Sequence, residues 1–229
     1  MTSIRKLSLL LVAICAWLSV SDRAAAGQPP VAVAQDCVAC HGEGGISPNP
    51  MVPILAGQPY TLLEDNLLAF RSGKRTCSPE RNDGSPPALL AQTMCATVAT
   101  LTDQQIAVIA AWFESLPFEP AQQAFEPALA EQGAQLHQQE GCERCHSDGG
   151  RISNAMAPIL AGQWTPYLRR AMDALQSGTR KGPKVMNAAI HDLQQNEIEA
   201  LLNYYAENGH GGGEHAQGLN TGSGARRKR

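Results

Sequence analysis

The sequence is short of several things, and each shortage excludes something. No stretch alternates apolar and polar residues in the manner of a half-buried strand, which argues against sheet architectures and leaves an all-α fold. No Gly-x-Gly-x-x-Gly fingerprint is present, so the chain carries no dinucleotide-binding unit of that kind. Beyond residue 20 no apolar run approaches the roughly 20 residues that a membrane-spanning helix needs, which argues against stable membrane insertion. Positive charge is scarce in the body. Residues 27–208 hold 19 acidic and 11 basic residues, a net charge of −8, with −4 in each half. A body of that sign does not suit nucleic acid and suits a partner with a complementary basic patch. Histidine is scarce too: the first half has only His41.

What is present begins with an export signature. Arg5 and Lys6 precede an apolar run of 14 residues at positions 7–20, and Ala24-Ala25-Ala26 follows. That run is too short to span a bilayer comfortably and suits the core of a signal peptide, with cleavage after Ala26. The expected organisation is a signal peptide at residues 1–26, one domain at 27–118, a second at 119–208, and a disordered Gly-rich tail at 209–229. The tail ends in Arg226-Arg227-Lys228-Arg229. Its composition cannot pack a core.

Of seven cysteines, Cys15 would leave with the signal. Four others form two short motifs, Cys37-Val38-Ala39-Cys40-His41 and Cys142-Glu143-Arg144-Cys145-His146. Two cysteines two residues apart, followed at once by histidine, is the pattern for covalent haem c. Each thiol adds to one haem vinyl group, so the two sulfurs must reach two points on one edge of the macrocycle. The next residue then lies under the iron, and histidine there supplies the proximal ligand. A zinc half-site or a thioredoxin-like dithiol would also use Cys-x-x-Cys, but neither requires the histidine. Cys77 and Cys95 remain. An even remainder in an oxidising compartment reads as one disulfide, worth about 3 kcal/mol for a short loop in the chain-entropy model.

The chain is a duplication. At an offset of 105, Met51-Val52-Pro53-Ile54-Leu55-Ala56-Gly57-Gln58 lies over Met156-Ala157-Pro158-Ile159-Leu160-Ala161-Gly162-Gln163, and Ser72-Gly73 over Ser177-Gly178. Later the offset falls to 92, with Met94 over Met186, Ile106 over Ile198 and Trp112-Phe113 over Tyr204-Tyr205. The first copy therefore carries 13 extra residues, in the stretch that holds Cys77 and the Pro/Gly-rich residues 82–87. Two copies of about 90 residues suit two small domains better than a solenoid.

Each copy reads as helices and loops. Short helices are expected before the motifs, over residues 30–38 and 127–139. Leu62, Leu63, Leu67 and Phe70 make an apolar face stopped by Gly73. Tyr167, Leu168, Ala171, Met172 and Leu175 do the same before Gly178. In the last helix of the first copy, Thr102 caps, Gln105 completes a capping box, and Leu101 with Ile106 forms a staple. Ile106, Ile109, Ala110 and Phe113 face the core. In the second copy Ile198, Leu201, Leu202 and Tyr205 do so, with Gln194 a poorer cap. Residues 117–127 form the linker.

The sixth iron ligand decides between a closed electron shuttle and an open, reactive haem. Met51 and Met156 follow the proximal histidines by only 10 residues, which holds them to the histidine side. Met94 and Met186 come later, on loops before the last helix, where the chain can return over the other face. They are the favoured distal ligands, although methionine at such spacing is commonly core filler. His191 breaks the repeat, since its counterpart is Ala99, and His137 reads as a surface or core residue. Cys95, next to Met94, could ligate iron as a thiolate if it were not paired.

Two Cys-x-x-Cys-His motifs, each followed by Pro-x-Leu-Ala-Gly-Gln and then by a methionine before a final helix, resemble the dihaem cytochrome c4 family. The resemblance covers residues 35–205. Within the second half, Ile159-Leu160-Ala161-Gly162-Gln163-Trp164-Thr165-Pro166-Tyr167-Leu168 and residues 118–136 are similar to the haem subunit of flavocytochrome c sulfide dehydrogenase. The resemblance implies two tandem class I cytochrome c domains about a pseudo-twofold axis, with the haems close enough for fast transfer between them. Two covalent haem c groups would be held by Cys37, Cys40, Cys142 and Cys145. His41 and His146 would be proximal ligands, Met94 and Met186 distal ones, and the carbonyls of Pro53 and Pro158 would orient the histidines. It further implies a periplasmic electron carrier, not an enzyme by itself, that serves a flavoprotein dehydrogenase subunit or a respiratory complex. The rival is a catalytic dihaem oxidoreductase, acting on thiosulfate or peroxide, with an open or cysteine-ligated haem. The insertion bearing Cys77 departs from the second copy, and the basic tail is not part of the pattern.

Overall fold

The computed structural model describes residues 33–77, 93–155 and 157–210. The expected signal peptide, the start of the first helix, residues 82–87, Met156 and residues 211–229 lie outside the described residues. Among the described residues there are nine α-helices and no strand, only an isolated bridge between Asn154 and Ala157. The first domain comprises α1 (Val33–His41), α2 (Tyr60–Arg71), α3 (Met94–Val98) and α4 (Asp103–Glu114). The second comprises α5 (Pro127–Gln139), a single turn α6 (Ser147–Gly150), α7 (Thr165–Gln176), α8 (Lys184–His191) and α9 (Gln195–His210).

Local sequence accounts for most boundaries. Thr102 accepts from the Gln105 N–H at 3.2 Å and Gln105 returns a bond to the Thr102 N–H at 2.9 Å, satisfying two donors at the start of α4. Ile106, Ile109, Ala110 and Phe113 are buried on its inner face, where each large side chain contributes on the order of 1.5–3 kcal/mol. α4 packs on α2. In the second domain α9 lies on α5, with Ile198, Leu201, Leu202 and Tyr205 buried. The two helices meet at Gly133, where any Cβ would lie 2.1 Å from the Ala200 carbonyl oxygen, so only glycine allows this approach.

The two domains are joined by a reciprocal set of hydrogen bonds. Gln163 accepts from the Ile54 N–H at 3.0 Å and donates to the Ile54 carbonyl at 2.9 Å. Gln58 does the same to Ile159, at 3.1 and 3.2 Å. Gln58 and Gln163, and Ile54 and Ile159, are equivalent in the repeat, so the exchange is the signature of a pseudo-twofold axis. The Trp164 indole N–H also donates to the Ser47 carbonyl at 2.8 Å, and the Thr61 hydroxyl to the Ala155 carbonyl.

Three features differ from the sequence reading. Met94 and Met186 lie in short helices, not loops: Thr93 caps α3 by accepting from the Ala96 N–H, and Pro183 opens α8. The last helix runs two residues past 208. Gly209 packs against Gly162, and the His210 ring bonds the Gln123 carbonyl at 2.7 Å and contacts Phe125, so these two residues belong to the second domain and not to the tail. The two Cys-x-x-Cys-His segments also differ in form. The first lies on α1, whereas in the second Gly141, at φ 70°, stops α5, and Cys142–Arg144 forms a 3-10 turn. Asp36 occupies the position equivalent to Gly141, so α1 continues through Cys37.

Candidate haem sites

In the first domain Cys37, Cys40 and His41 occupy the last turns of α1. His41 is buried, and its Nδ1 lies 2.8 Å from the Pro53 carbonyl. That contact fixes the ring and leaves Nε2 to face outward from it. Burial and the charge of Asp36 push the Cys37 thiol up to about 11, so this sulfur stays neutral, as suits a future thioether and not a thiolate metal ligand. Cys37 and Met94 pack against the same core, which includes Ile54, Ile106 and Phe113.

The second domain repeats the arrangement. His146 is buried with Nδ1 3.4 Å from the Pro158 carbonyl. Burial lowers its pKa, against the pull of that carbonyl, so the imidazole is neutral near pH 7, as an iron ligand must be. Burial likewise raises the Cys142 thiol. Met186 packs against the second core with Leu168, Met172 and Leu201.

The alternative ligands do not fit. Cys77 and Cys95 form a disulfide with a Cα–Cα distance of 6.0 Å, so Cys95 has no thiolate to offer an iron in this oxidised state. The His191 side chain is 74% exposed and bonds Asp192 at 2.8 Å, turned to solvent. His137 is completely buried and already committed, with Nδ1 3.0 Å from the Tyr205 hydroxyl and Nε2 2.9 Å from Glu143 and 3.0 Å from the His146 carbonyl. Among the described residues no three His, Cys, Asp or Glu side chains gather as a metal ion directly bound by protein would need.

Two clusters escaped the sequence reading. The first surrounds the second haem motif. Glu143 accepts from the N–H groups of Asp148 and Gly149 at 2.7 and 3.2 Å and meets His137. Burial would raise its carboxyl, but these donors outweigh it and hold the group below the usual carboxylate range. The second lies at the seam between domains. Arg75 and its repeat equivalent Arg180 both hydrogen-bond the Tyr167 hydroxyl and reach the Asn66 amide oxygen, at 2.6 and 3.4 Å. Burial alone would raise the Tyr167 pKa; the two guanidinium groups bring it below the ordinary phenol value. The arginine pair was legible in principle, since both fall at the 105-residue offset.

Paired thiols, buried histidines held by repeated prolines, and late methionines against each core fit haem c twice over. Two such domains facing each other define a tandem dihaem c-type cytochrome. Residues 25–117 match the cytochrome c family model, and residues 128–204 match that of cytochrome c oxidase, cbb3-type, subunit III. Cytochrome c4 of Pseudomonas aeruginosa is 32% identical, with 86% of this chain and 94% of that protein covered. The thiosulfate dehydrogenase electron acceptor of Stutzerimonas stutzeri is 29% identical over 84% and 90%. The crystal structure of reduced cytochrome c4 from Pseudomonas stutzeri superimposes with a TM-score of 0.62 at 29% identity, over 78% of this chain and 97% of that one. The chain belongs to the cytochrome c4 family: it is an all-α electron-transfer protein of two cytochrome c domains with two covalently bound haem c groups.

Proposed function

We propose that this protein is an exported, periplasmic relay that takes electrons at one haem and passes them out through the other. In this reading the signal peptide is cleaved after about Ala26 and the domains span residues 27–118 and 119–208, extended to His210 by α9. Cys37 and Cys40 tether one haem, and Cys142 and Cys145 the other. His41 with Met94, and His146 with Met186, close the two irons. When bound, each haem supplies a one-electron couple, and a thioether ligand raises its potential.

The residues of the chain do the rest. The Pro53 and Pro158 carbonyls accept from the histidine Nδ1–H and hold one tautomer. The buried apolar cores keep water from the centres. Arg75 and Arg180 bring two cations into the seam, where no ion pair among the described residues uses them and where they could pair with the propionates of a bound haem. The observation that carries the reading is the reciprocal exchange of Gln58 with Ile159 and Gln163 with Ile54. Pro53 and Ile54 are consecutive, as are Pro158 and Ile159, so each proximal-histidine mount is one residue from the interface. That supports a fixed relation between the two centres, as a relay requires.

The electron donor or acceptor is a flavoprotein dehydrogenase subunit or a respiratory complex in the primary reading. The likeness to relatives named as thiosulfate dehydrogenase electron acceptors favours a thiosulfate-oxidising dehydrogenase as a further donor, and favours a carrier over a catalytic dihaem enzyme. Carbon monoxide binding to the reduced protein tests this. A relay with two closed irons leaves the reduced spectrum unchanged near neutral pH; ready binding by either haem supports the open, catalytic alternative.

A further inference from the structure

Although the body is acidic, one region is not. Between Asp173 and Asp192 there is no acidic residue, and Arg180, Lys181 and Lys184 fall within that stretch. It leads directly into Met186. Lys181 and Lys184 are exposed, and no ion pair among the described residues uses either of them, or Arg75, Arg170 or Arg180. Arg170, also exposed, lies close enough to Arg75 for its charge to act there together with that of Arg180. So the positive charges form one field around the seam and the α8 end of the second domain. Within that region sits Val185, 68% exposed, one of two large apolar side chains that the described residues expose, the other being Ile152. Val185 immediately precedes Met186. The equivalent position in the first domain is Thr93, which is half-buried and engaged as the α3 cap. The first domain has cations in the corresponding stretch, Lys74, Arg75 and Arg81, but Glu80 and Asp83 accompany them and the residues next to Met94 are uncharged.

We infer that Val185, rimmed by Lys181 and Lys184, is a docking surface for an acidic electron-transfer protein, placing that partner over the second haem. The surrounding charges attract the partner, and the apolar centre excludes water from the contact. An acidic partner is repelled elsewhere by the net −8 body, so the sign of the surface selects where it lands. This inference rests on the assignment of the second haem to the motif at Cys142 and to Met186.

The test follows electron transfer from the reduced, full-length dihaem protein to two oxidised probes, an acidic plastocyanin and a basic mitochondrial cytochrome c. With plastocyanin the second-order rate should fall steeply as salt is raised, and K181E/K184E should lower it about tenfold at low salt. V185D should lower it as well. With the basic probe the charge reversal should leave the rate unchanged or raise it. An unchanged plastocyanin rate in K181E/K184E overturns the inference, as does an equal loss with both probes. The near-infrared methionine band is recorded on every sample. If wild type lacks intensity for the second haem while the charge effects hold, the ligand assignment fails and the docking surface stands.

Discussion

Gln163 and Ile54 exchange two hydrogen bonds across the domain boundary, amide to carbonyl at 2.9 Å and N–H to amide oxygen at 3.0 Å. Gln163 is only 2% exposed, so no water can replace it without rearrangement. Gln163→Ala leaves both polar groups of Ile54 unpaired in the interior. The expected cost is about 1–3 kcal/mol, read as a lower midpoint in guanidinium unfolding of the holoprotein. Gln58→Ala should act in the same way through Ile159, and a midpoint unchanged in both variants would remove the interface from the account of the relay.

The disulfide belongs to the first domain alone. Cys95 follows Met94 directly, and its N–H lies 3.0 Å from the Cys77 sulfur, so the cross-link anchors the start of α3. Replacing both cysteines by serine should destabilise the first domain by about 3 kcal/mol. During denaturant titration, half of the methionine-ligation signal should then disappear early. Uniform loss of both halves, or no change, would contradict this.

Acid should loosen the second domain selectively. Glu143 has its pKa depressed in the folded state, so it contributes stability above the ordinary glutamate pKa, and that contribution is lost as pH falls through the depressed value. Glu143→Gln removes the titration. Its destabilisation relative to wild type should be largest near neutral pH and shrink below the carboxylate range, followed by unfolding of the second domain at pH 7 and in acid. A difference independent of pH would assign Glu143 no such role.

Burial makes His137 a separate case. It bridges Tyr205, Glu143 and the His146 carbonyl, and its removal strands a buried phenol. His137→Phe should cost about 1–3 kcal/mol in the second domain, with the first domain's unfolding unaffected. Equal effects on both domains would contradict the local role of this cluster.

Much of this architecture was legible because it is written locally or twice. The capping box at Thr102 and Gln105 needs only four residues, and the helices ending before Gly73 and Gly178 need only a period and a stop. Duplication revealed the two domains and the repeated methionines. What stayed hidden depends on residues far apart in the chain. Nothing near Gln163 indicates that it will bind Ile54, 109 positions earlier. Nothing near Tyr167 indicates two arginines, one from each domain. His137 looked like filler because its partners Glu143 and Tyr205 are brought together only by the packing of α9 on α5. The second domain was set to end at 208 because the residues that follow are Gly-rich, yet contact with Gly162 and the His210–Gln123 bond carry α9 to His210.

The central claim is that both irons are closed by histidine and methionine, and the most direct test is the near-infrared absorbance of the oxidised, purified protein. Sulfur ligation of ferric haem by methionine gives a weak band there whose intensity counts the haems that have it. Intensity for two haems is expected, with half lost in Met94→Ala and half in Met186→Ala. Intensity for one haem or none in the wild-type protein would contradict it and return the open, catalytic haem to first place.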